Sequence, residues 1–189
     1  MDNSKFVCIY ADNSNLFIEG KKVAEQHGEP KGKFRLYFPN LINVLAVGRE
    51  VKEVVWGGSI PPENDHLWEY LKKINVKPDL LPRSTTGENE TVDHLIQLRM
   101  YRHAREYRSN PGTIILLTGD GSGYFKKEGF LYDIEGFVND GWNVEVASWD
   151  HCCNKRMRDF ANDRGKYVKL DSYYHKISFI SGGRVVSKI

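Results

Sequence analysis

Acidic side chains stand directly after three apolar, strand-like runs of this 189-residue chain. Asp12 follows the first run, Asp120 lies in a Gly-rich turn after the fourth, and Asp150 comes shortly after the fifth. In an open parallel sheet the carboxyl ends of the strands share one edge, and ligands bind outside that edge. The sequence therefore predicts that these three acids meet at one edge of a sheet.

A long amphipathic segment supplies further acids, because Glu90 and Asp93 are neighbours at i, i+3 spacing in its first turns. Carboxylates that converge repel one another and raise one another's pKa. A hard divalent cation such as Mg²⁺ relieves this repulsion, since it takes oxygen ligands and bridges substrate phosphates. Such an ion can generate hydroxide and stabilise the leaving oxygen in phosphodiester cleavage, which is a chemistry that does not yet name a substrate.

Each acid also has a structural interpretation when it is taken alone. Asp12 is typical of an N-cap for the helix that begins near residue 15. Glu90 and Asp93 are typical of acids that complement a helix dipole, and Asp120 of a residue in a turn. Asp150 is interpreted as the cap of the following helix. Capping does not predict a shared edge, so the combination favours a site.

The elements that position these acids are short apolar runs alternating with amphipathic stretches. Strands are predicted at 6–11, 51–56, 76–81, 113–118 and 142–147. Helices are predicted at 39–47, 65–74, 90–107, 131–139 and 154–162. Several of the strand runs are apolar on both faces, which is typical of a parallel sheet covered by helices. The pattern predicts an α/β fold built from βαβ units.

The C-terminal end has a different pattern. Segments 173–180 and 184–189 flank Ser181-Gly182-Gly183, which is a hairpin signal. The length fits one ordinary domain. We therefore predict a single domain over residues 1–174, with residues 175–189 forming a small β-hairpin appended to it.

The composition excludes several classes of protein. Twenty-seven Lys and Arg residues against 25 Asp and Glu residues leave a net charge of +2, so overall basicity does not indicate a nucleic-acid partner. No run approaches the roughly 20 apolar residues of a membrane span, and the polar N-terminus shows no secretory signal. The sequence predicts a cytoplasmic protein without a membrane partner. It leaves the oligomeric state open, a homo-oligomer included.

The three cysteines, Cys8, Cys152 and Cys153, form no CxxC pair and have no histidine at the spacing of a zinc motif. We therefore expect neither a disulfide framework nor a zinc site.

Basic and aromatic residues near the acids could bind RNA through phosphate contacts and base stacking. The basic residues are Arg99, Arg102, Lys126, Lys155, Arg156 and Arg158. The aromatic residues are Tyr124, Phe125 and Trp149. The alternative is that the basic side chains form ordinary solvated helix faces and that the aromatic ones belong to the core.

The chain is similar to the NYN domains, a LabA-like branch of the PIN-like nuclease superfamily. The motifs that carry the resemblance are YADNSNLF at 10–17, TVD at 91–93, LLTGDG at 116–121 and WNVEVASW at 142–149. The resemblance extends to about residue 174. It implies a Rossmann-like parallel sheet and a metal-dependent ribonuclease site for RNA, with Mg²⁺ or Mn²⁺ as the cofactor.

The resemblance also implies roles for individual residues. Asp12, Asp93 and Asp120 fall on the metal-binding acids of the family, and Asn13 and Asn15 on the polar positions beside the first acid.

Two departures from the family pattern leave an alternative open. Arg99 and Met100 stand where many relatives carry a further Asp, and Ser122 replaces a second Asp after the fourth strand. Glu90 or Asp150 would compensate for the missing acid, while Ser122 would orient phosphate or water. Without compensation the chain would be a catalytically weak or inactive RNA-binding module. A small-nucleotide phosphohydrolase ranks lower, because no phosphate-binding Gly-rich loop motif is present.

Overall fold

The central strand β1, Phe6–Asp12, is buried along its whole apolar length. Its side chains alternate between two core clusters: Val7, Ile9 and Ala11 belong to one, and Phe6, Cys8 and Tyr10 to the other. This two-residue period is expected of a strand covered on both faces. The computed structural model that shows this arrangement describes residues 6–60, 66–82 and 90–188.

Six parallel strands form the main sheet in the order β4-β3-β1-β5-β6-β7. Beside β1 these are β3 Glu50–Ile60, β4 Lys77–Pro82, β5 Thr113–Leu117, β6 Asn143–Ser148 and β7 Lys166–Lys169. The chain builds one half of the sheet outward from β1 and then returns to build the other half from β5. The strand order therefore reverses between β1 and β5, and that reversal is where doubly wound sheets bind ligands.

Helices cover both faces of this sheet. They are α1 Asn13–Gln26, α2 Phe38–Ala46, α3 His66–Lys73, α4 Glu90–Glu106, α5 Gly129–Asn139, α6 Lys155–Arg164 and α7 Tyr174–Ile177. One face packs against α1, α2, α3 and the C-terminal segment, and the other against α4, α5 and α6. The predicted α/β fold with a parallel sheet flanked by helices is confirmed.

The small antiparallel element at the C-terminus is also confirmed, but its partner differs from the expected one. Strand β8, Ser178–Ile180, pairs with β2, Phe34–Leu36, in a separate two-stranded sheet. The glycine turn does reverse the chain, since Ile180 N–H donates to Arg184 O at 2.8 Å. Residues 184–188 form no strand, and the backbone N–H of Ser187 instead donates to His175 O at 2.8 Å.

An ion pair ties the C-terminal segment to the connection between α1 and β2. Arg184 donates to both carboxylate oxygens of Glu29, at 2.6 and 3.0 Å, and the hydroxyl of Tyr174 donates to the same carboxylate. The hydrogen bonds from Arg184 lower the pKa of Glu29 to about 2. Glu29 and Arg184 are each about one-fifth exposed, so the pair is shielded from solvent.

Among the helices that the structure describes, none combines the length and apolar character needed to span a bilayer.

Replacing Arg184 with Ala should lower the free energy of unfolding by about 2 kcal/mol at neutral pH, because a charge-assisted hydrogen-bonded pair is lost. The folded pKa of Glu29 lies below its unfolded value of about 4.3. The stabilisation is therefore complete above that value and disappears as the pH falls toward 2. Urea unfolding of both proteins at several pH values should show the difference shrinking with acidification. Arg164→Ala, which removes a hydrogen bond to the neutral Asn139 side chain, should show no such pH dependence.

Candidate functional site

A cleft of about 590 Å³ opens at the carboxyl edge of the sheet, beside the ends of β1 and β5. It brings together Asp12 at the end of β1, Asp93 in α4 and Asp120 in the loop after β5. Three separate elements thus deliver one carboxylate each to the same cavity. The other lining residues are Ser14, Asn15, Ile18, Glu19, Val92, Gly119, Gly121, Ser122, Cys152 and Asn154.

Asp12 joins strand β1 to helix α1. Its Oδ1 atom accepts hydrogen bonds from the backbone N–H groups of Ser14, at 2.9 Å, and Asn15, at 3.3 Å. It is therefore the N-cap of α1, and it lines the cleft at the same time. Asp12 therefore fits both interpretations, since it caps the helix and also lies in the cleft.

The loop after β5 is held by short hydrogen bonds on the cleft side. Ser122 donates its backbone N–H to Asp120 Oδ1 at 2.9 Å and its hydroxyl to Oδ2 at 2.7 Å. The backbone N–H of Gly119 donates to Asn15 Oδ1 at 3.0 Å, which links this loop to α1. Ser122 and Asn15 therefore orient the loop that carries the Asp120 carboxylate.

Two glycines let the loop after β6 approach the loop after β5. A Cβ atom on Gly119 would lie 2.8 Å from the carbonyl oxygen of Cys152, and one on Gly121 would lie 2.5 Å from Cγ of Asn154. The backbone N–H of Asn154 donates to Gly119 O at 2.9 Å. The glycines after β5 are therefore required because a larger residue would push the two loops apart.

The structure also brings together a metal-ligating group that the sequence analysis did not predict. In the described part of the chain, Glu19, His151 and Cys152 are the one group of three or more such residues whose ligand atoms all lie within 4.8 Å of one another. These side chains could hold a metal ion. By the same measure, the carboxylates of Asp12, Asp93 and Asp120 line the cleft without closing into one ligand shell.

Asp150 lies outside the lining of the cleft. Its carboxylate accepts a hydrogen bond from Lys169 at 2.8 Å and pairs with Arg158 at 3.2 Å. The hydrogen bond from Lys169 and the charge of Arg158 hold its pKa below the usual value. It also does not cap α6, because the cap is Asn154, whose Oδ1 accepts from the N–H of Arg156 at 3.0 Å. The capping interpretation of Asp150 was wrong because the turn continues to residue 154.

The predicted RNA-binding residues fall into different surroundings. Arg158 is occupied by the loop after β6, since it donates to the carbonyl oxygens of Asp150 and Cys153 at 2.6 and 3.1 Å. Arg102 is exposed but follows Asp93 by nine residues, which puts it on roughly the opposite side of α4. Arg99, two turns beyond the start of α4, is half-buried.

Of the predicted basic residues, Lys126, Lys155 and Arg156 are exposed, and Lys155 and Arg156 directly follow Asn154 in the cleft lining. Lys155 pairs with Asp159 on α6. Arg156 lies over the ring of Phe125, with its guanidinium carbon 4.1 Å from the ring centroid. Phe125 is 78% exposed, so this pair presents a flat aromatic and cationic surface to solvent.

The other two aromatic candidates have structural roles. Trp149 is fully buried, and its indole N–H donates to the carbonyl oxygen of Leu16 at 2.9 Å. The prediction that Trp149 stacks on bases was therefore wrong. Tyr124 is half-buried, and its hydroxyl donates to Glu135.

Two further sequence-predicted residues do not contribute to the described lining. Asn13 faces β3, where its Oδ1 accepts the indole N–H of Trp56 at 3.1 Å. Glu90 begins α4, and its side chain lies outside the described part of the structure. Sequence reasoning missed Glu19, although it follows Asn15 by four residues and so shares its helix face. His151 and Cys152 had no comparable signal, because only the folded loop brings them to α1.

No protein-family model matches this chain, and no curated protein matches it. A crystal structure of a protein of unknown function from Vibrio parahaemolyticus is similar to it, with a TM-score of 0.58 and 17% sequence identity. The similarity covers 90% of this chain and 97% of the other. At this level of identity it shows a shared fold.

The capping role of Asp12 can be separated from its charge. Asp12→Ala should lower the free energy of unfolding by about 1 kcal/mol relative to Asp12→Asn, because an amide oxygen still accepts the two N–H groups and a methyl group does not. Urea unfolding of the two variants measures the difference. Equal stability would mean that the bonds to Ser14 and Asn15 contribute nothing.

Proposed function

We propose that the cleft is the active site of a divalent-metal-dependent ribonuclease that hydrolyses phosphodiester bonds of single-stranded RNA. The observation that carries the proposal is the delivery of Asp12, Asp93 and Asp120 to one cavity from three separate elements. Capping and turn formation account for single acids, but they do not require three carboxylates on one cavity wall. The resemblance to NYN domains points to the same residues.

The donor set fits a hard cation. Three carboxylates line an open, solvent-accessible cleft, and Mg²⁺ or Mn²⁺ bound in such sites keeps several waters and uses one or two protein carboxylates directly. Carboxylates that share a cleft without closing into one ligand shell suit that mode of binding. When bound, such an ion would supply a nucleophilic hydroxide and charge stabilisation for the leaving oxygen.

The residues around the acids would orient the site rather than react. Ser122 holds both oxygens of Asp120, and Asn15 holds the loop before it, so the carboxylate presents a fixed direction to the cleft. Such fixed polar groups would need no reorganisation when negative charge develops on the phosphoryl and leaving oxygens. The three aspartates would bind the cation.

The basic residues on one flank would hold the RNA strand. Arg156 and Lys155 begin α6, directly after Asn154 in the cleft wall, and Lys126 lies in the turn that carries Phe125. Lys and Arg contacts to phosphates supply affinity without sequence preference. The exposed Phe125 ring, with Arg156 over one face, is suited to stacking on an unpaired base. This geometry favours a single strand over a duplex.

An RNA-binding module without catalysis is the second candidate, and a specific observation favours it. The position expected to carry a further acid holds Met100, which is fully buried in the core and offers no ligand. Ser122 engages both oxygens of Asp120 where many relatives have a second acid. Cleavage assays separate the two candidates.

Cleavage of labelled single-stranded RNA should require Mg²⁺ or Mn²⁺ and should fall by on the order of 10²-fold or more in Asp12→Asn, Asp93→Asn and Asp120→Asn. Each substitution removes a charge that attracts the cation while it keeps the size of the side chain. Asp163→Asn, on the exposed surface of α6 outside the cleft, is the matched control and should be as active as the wild type. Equal activity in all four variants would exclude this site. RNA binding that survives EDTA, with no cleavage under either metal, would favour the binding module.

Removing the ring of Phe125 should weaken binding of single-stranded RNA by about tenfold, because base–aromatic stacking contributes about 1–3 kcal/mol per base. Fluorescence anisotropy with Phe125→Ala and a labelled oligonucleotide measures this loss. Tyr132→Ala, which truncates a partly exposed aromatic residue on α5 that does not line the cleft, is the control. Equal affinity of Phe125→Ala and wild type would remove Phe125 from the RNA path.

A further inference from the structure

Three side chains of different chemistry converge at the rim of the cleft. His151 Nε2 lies 2.8 Å from Glu19 Oε2, and the ligand atoms of Glu19, His151 and Cys152 all lie within 4.8 Å of one another. Glu19 and Cys152 also line the cleft, so the group adjoins the cavity of the three aspartates. A carboxylate, an imidazole and a thiol together are the ligand types that Zn²⁺ takes, whereas Mg²⁺ prefers oxygen alone.

The backbone that carries this group is held firmly on the side of α1. The buried indole of Trp149 donates to Leu16 O, which lies one helical turn before Glu19. The N–H of Cys152 donates to Trp149 O at 3.2 Å, so a tight turn presents residues 151 and 152 toward α1.

The start of the same turn is fixed from the other side. The backbone N–H of Asp150 donates to Asp171 Oδ2 at 2.8 Å, and Arg158 donates to Asp150 O at 2.6 Å. These bonds involve none of the three ligand side chains, so the fold itself fixes the backbone that carries them. A site built on such a rigid support loses little entropy on binding.

We propose that Glu19, His151 and Cys152 form a binding site for a thiophilic divalent ion, with Zn²⁺ as the expected occupant. Three protein ligands leave the fourth tetrahedral position to a water or a substrate oxygen, as in zinc sites that remain open. Because two of the ligands line the cleft, that position is at the edge of the proposed RNA path. The site is separate from the aspartates and does not depend on them.

The surroundings of the group favour metal binding over a thiol nucleophile. In a Cys–His nucleophile, the thiol donates its proton to an imidazole that acts as its base. Here the Cys152 Sγ atom donates to Trp149 O at 3.4 Å and lies 3.7 Å from Ser148 Oγ, while His151 Nε2 is hydrogen-bonded to Glu19. Burial also raises the pKa of the Cys152 thiol, which disfavours the free thiolate that a nucleophile needs.

Small movements would convert the group into a coordination shell. Zinc bonds of about 2.0 Å to nitrogen and oxygen at a tetrahedral angle require these two atoms to be about 3.3 Å apart, slightly more than their present separation. The ion would replace the thiol proton of Cys152, which would pass to solvent, and it would bind Nε2 of a neutral His151 imidazole that carries its proton on Nδ1. Lys22 donates to the other oxygen of Glu19, Oε1, at 2.8 Å, which leaves Oε2 directed at His151.

Cobalt provides a direct test on the full chain, because tetrahedral Co²⁺ bound to a thiolate gives a near-ultraviolet charge-transfer band and visible d–d bands. We expect both signals from the wild type at one equivalent of Co²⁺, and loss of the charge-transfer band in Cys152→Ser. Cys153→Ser is the matched control, since the neighbouring Cys153 is buried with its sulfur on Asn154 O and should leave the band unchanged.

Zinc affinity, measured by competition with a chromophoric chelator, gives a second readout that does not depend on sulfur. His151→Ala and Glu19→Gln should each weaken Zn²⁺ binding by at least about tenfold, and His151 is exposed, so its loss should not disturb folding. Asp12→Asn combined with Asp120→Asn should leave Zn²⁺ affinity unchanged, whatever it does to RNA cleavage. A wild type without the charge-transfer band, a band that survives Cys152→Ser, or Zn²⁺ affinity insensitive to His151→Ala would each overturn the proposal.

Discussion

The structure depends on the burial of strand β1 on both faces of the sheet, at the point where the strand order reverses. Every side chain from Phe6 to Ala11 is buried, so the interior of this strand has no place for a charged group. The first charged side chain of the strand, Asp12, appears where the strand leaves the sheet and α1 must be capped. The neighbouring strand β5 ends at the same level, and its loop carries Asp120. The cleft is therefore a consequence of packing the centre of the sheet, and the same backbone transition that starts α1 points a carboxylate into the cavity.

The loop after β6 adds the second wall of the cleft and a second kind of chemistry. The anchoring of Trp149 on Leu16 brings this loop against α1, and the glycines after β5 let it approach closely. Because of this contact, two groups of side chains lie beside one cavity. One is the three aspartates, and the other is Glu19, His151 and Cys152. The arrangement also explains why a net charge of +2 says little about partners. Acidic side chains line the cleft, while Lys126, Lys155 and Arg156 stand on its exposed flank. The charges cancel in the sum and remain separated in space.

Much of the fold was predictable because its signals are local. The five predicted strands all occur, and the helices after β3, β4 and β5 lie where amphipathic spacing indicated. The short strand β2 was not predicted, because three residues are too few to show an alternation of apolar and polar side chains. Its pairing partner, β8, is also distant in the sequence. The expected hairpin arm failed for the same reason: the turn at Gly182 is local, but the choice of partner strand is not. In the site, Asp12 and Asp120 were predicted because the carboxyl ends of parallel strands meet at one edge of the sheet. Asp150 also follows a strand end, but its carboxylate pairs with Lys169 and Arg158 outside the cleft lining. No spacing in the sequence predicts these two ion pairs.

The sequence by itself determined the alternation of buried strands and amphipathic helices, the positions of the acids after β1 and β5, and the charge balance. These properties depend on periodicity and on residues adjacent in the chain. Only the tertiary structure decided which polar groups meet. It turned Asn13 and Trp149 toward the interior, directed Arg102 away from the acids, and exposed Phe125 under Arg156. It also joined Glu19 to His151 and Cys152, which are more than 130 residues away along the chain, where the sequence had indicated no zinc motif. The physical reason is that ligand convergence depends on how loops pack against helices, and that packing is a property of the whole sheet.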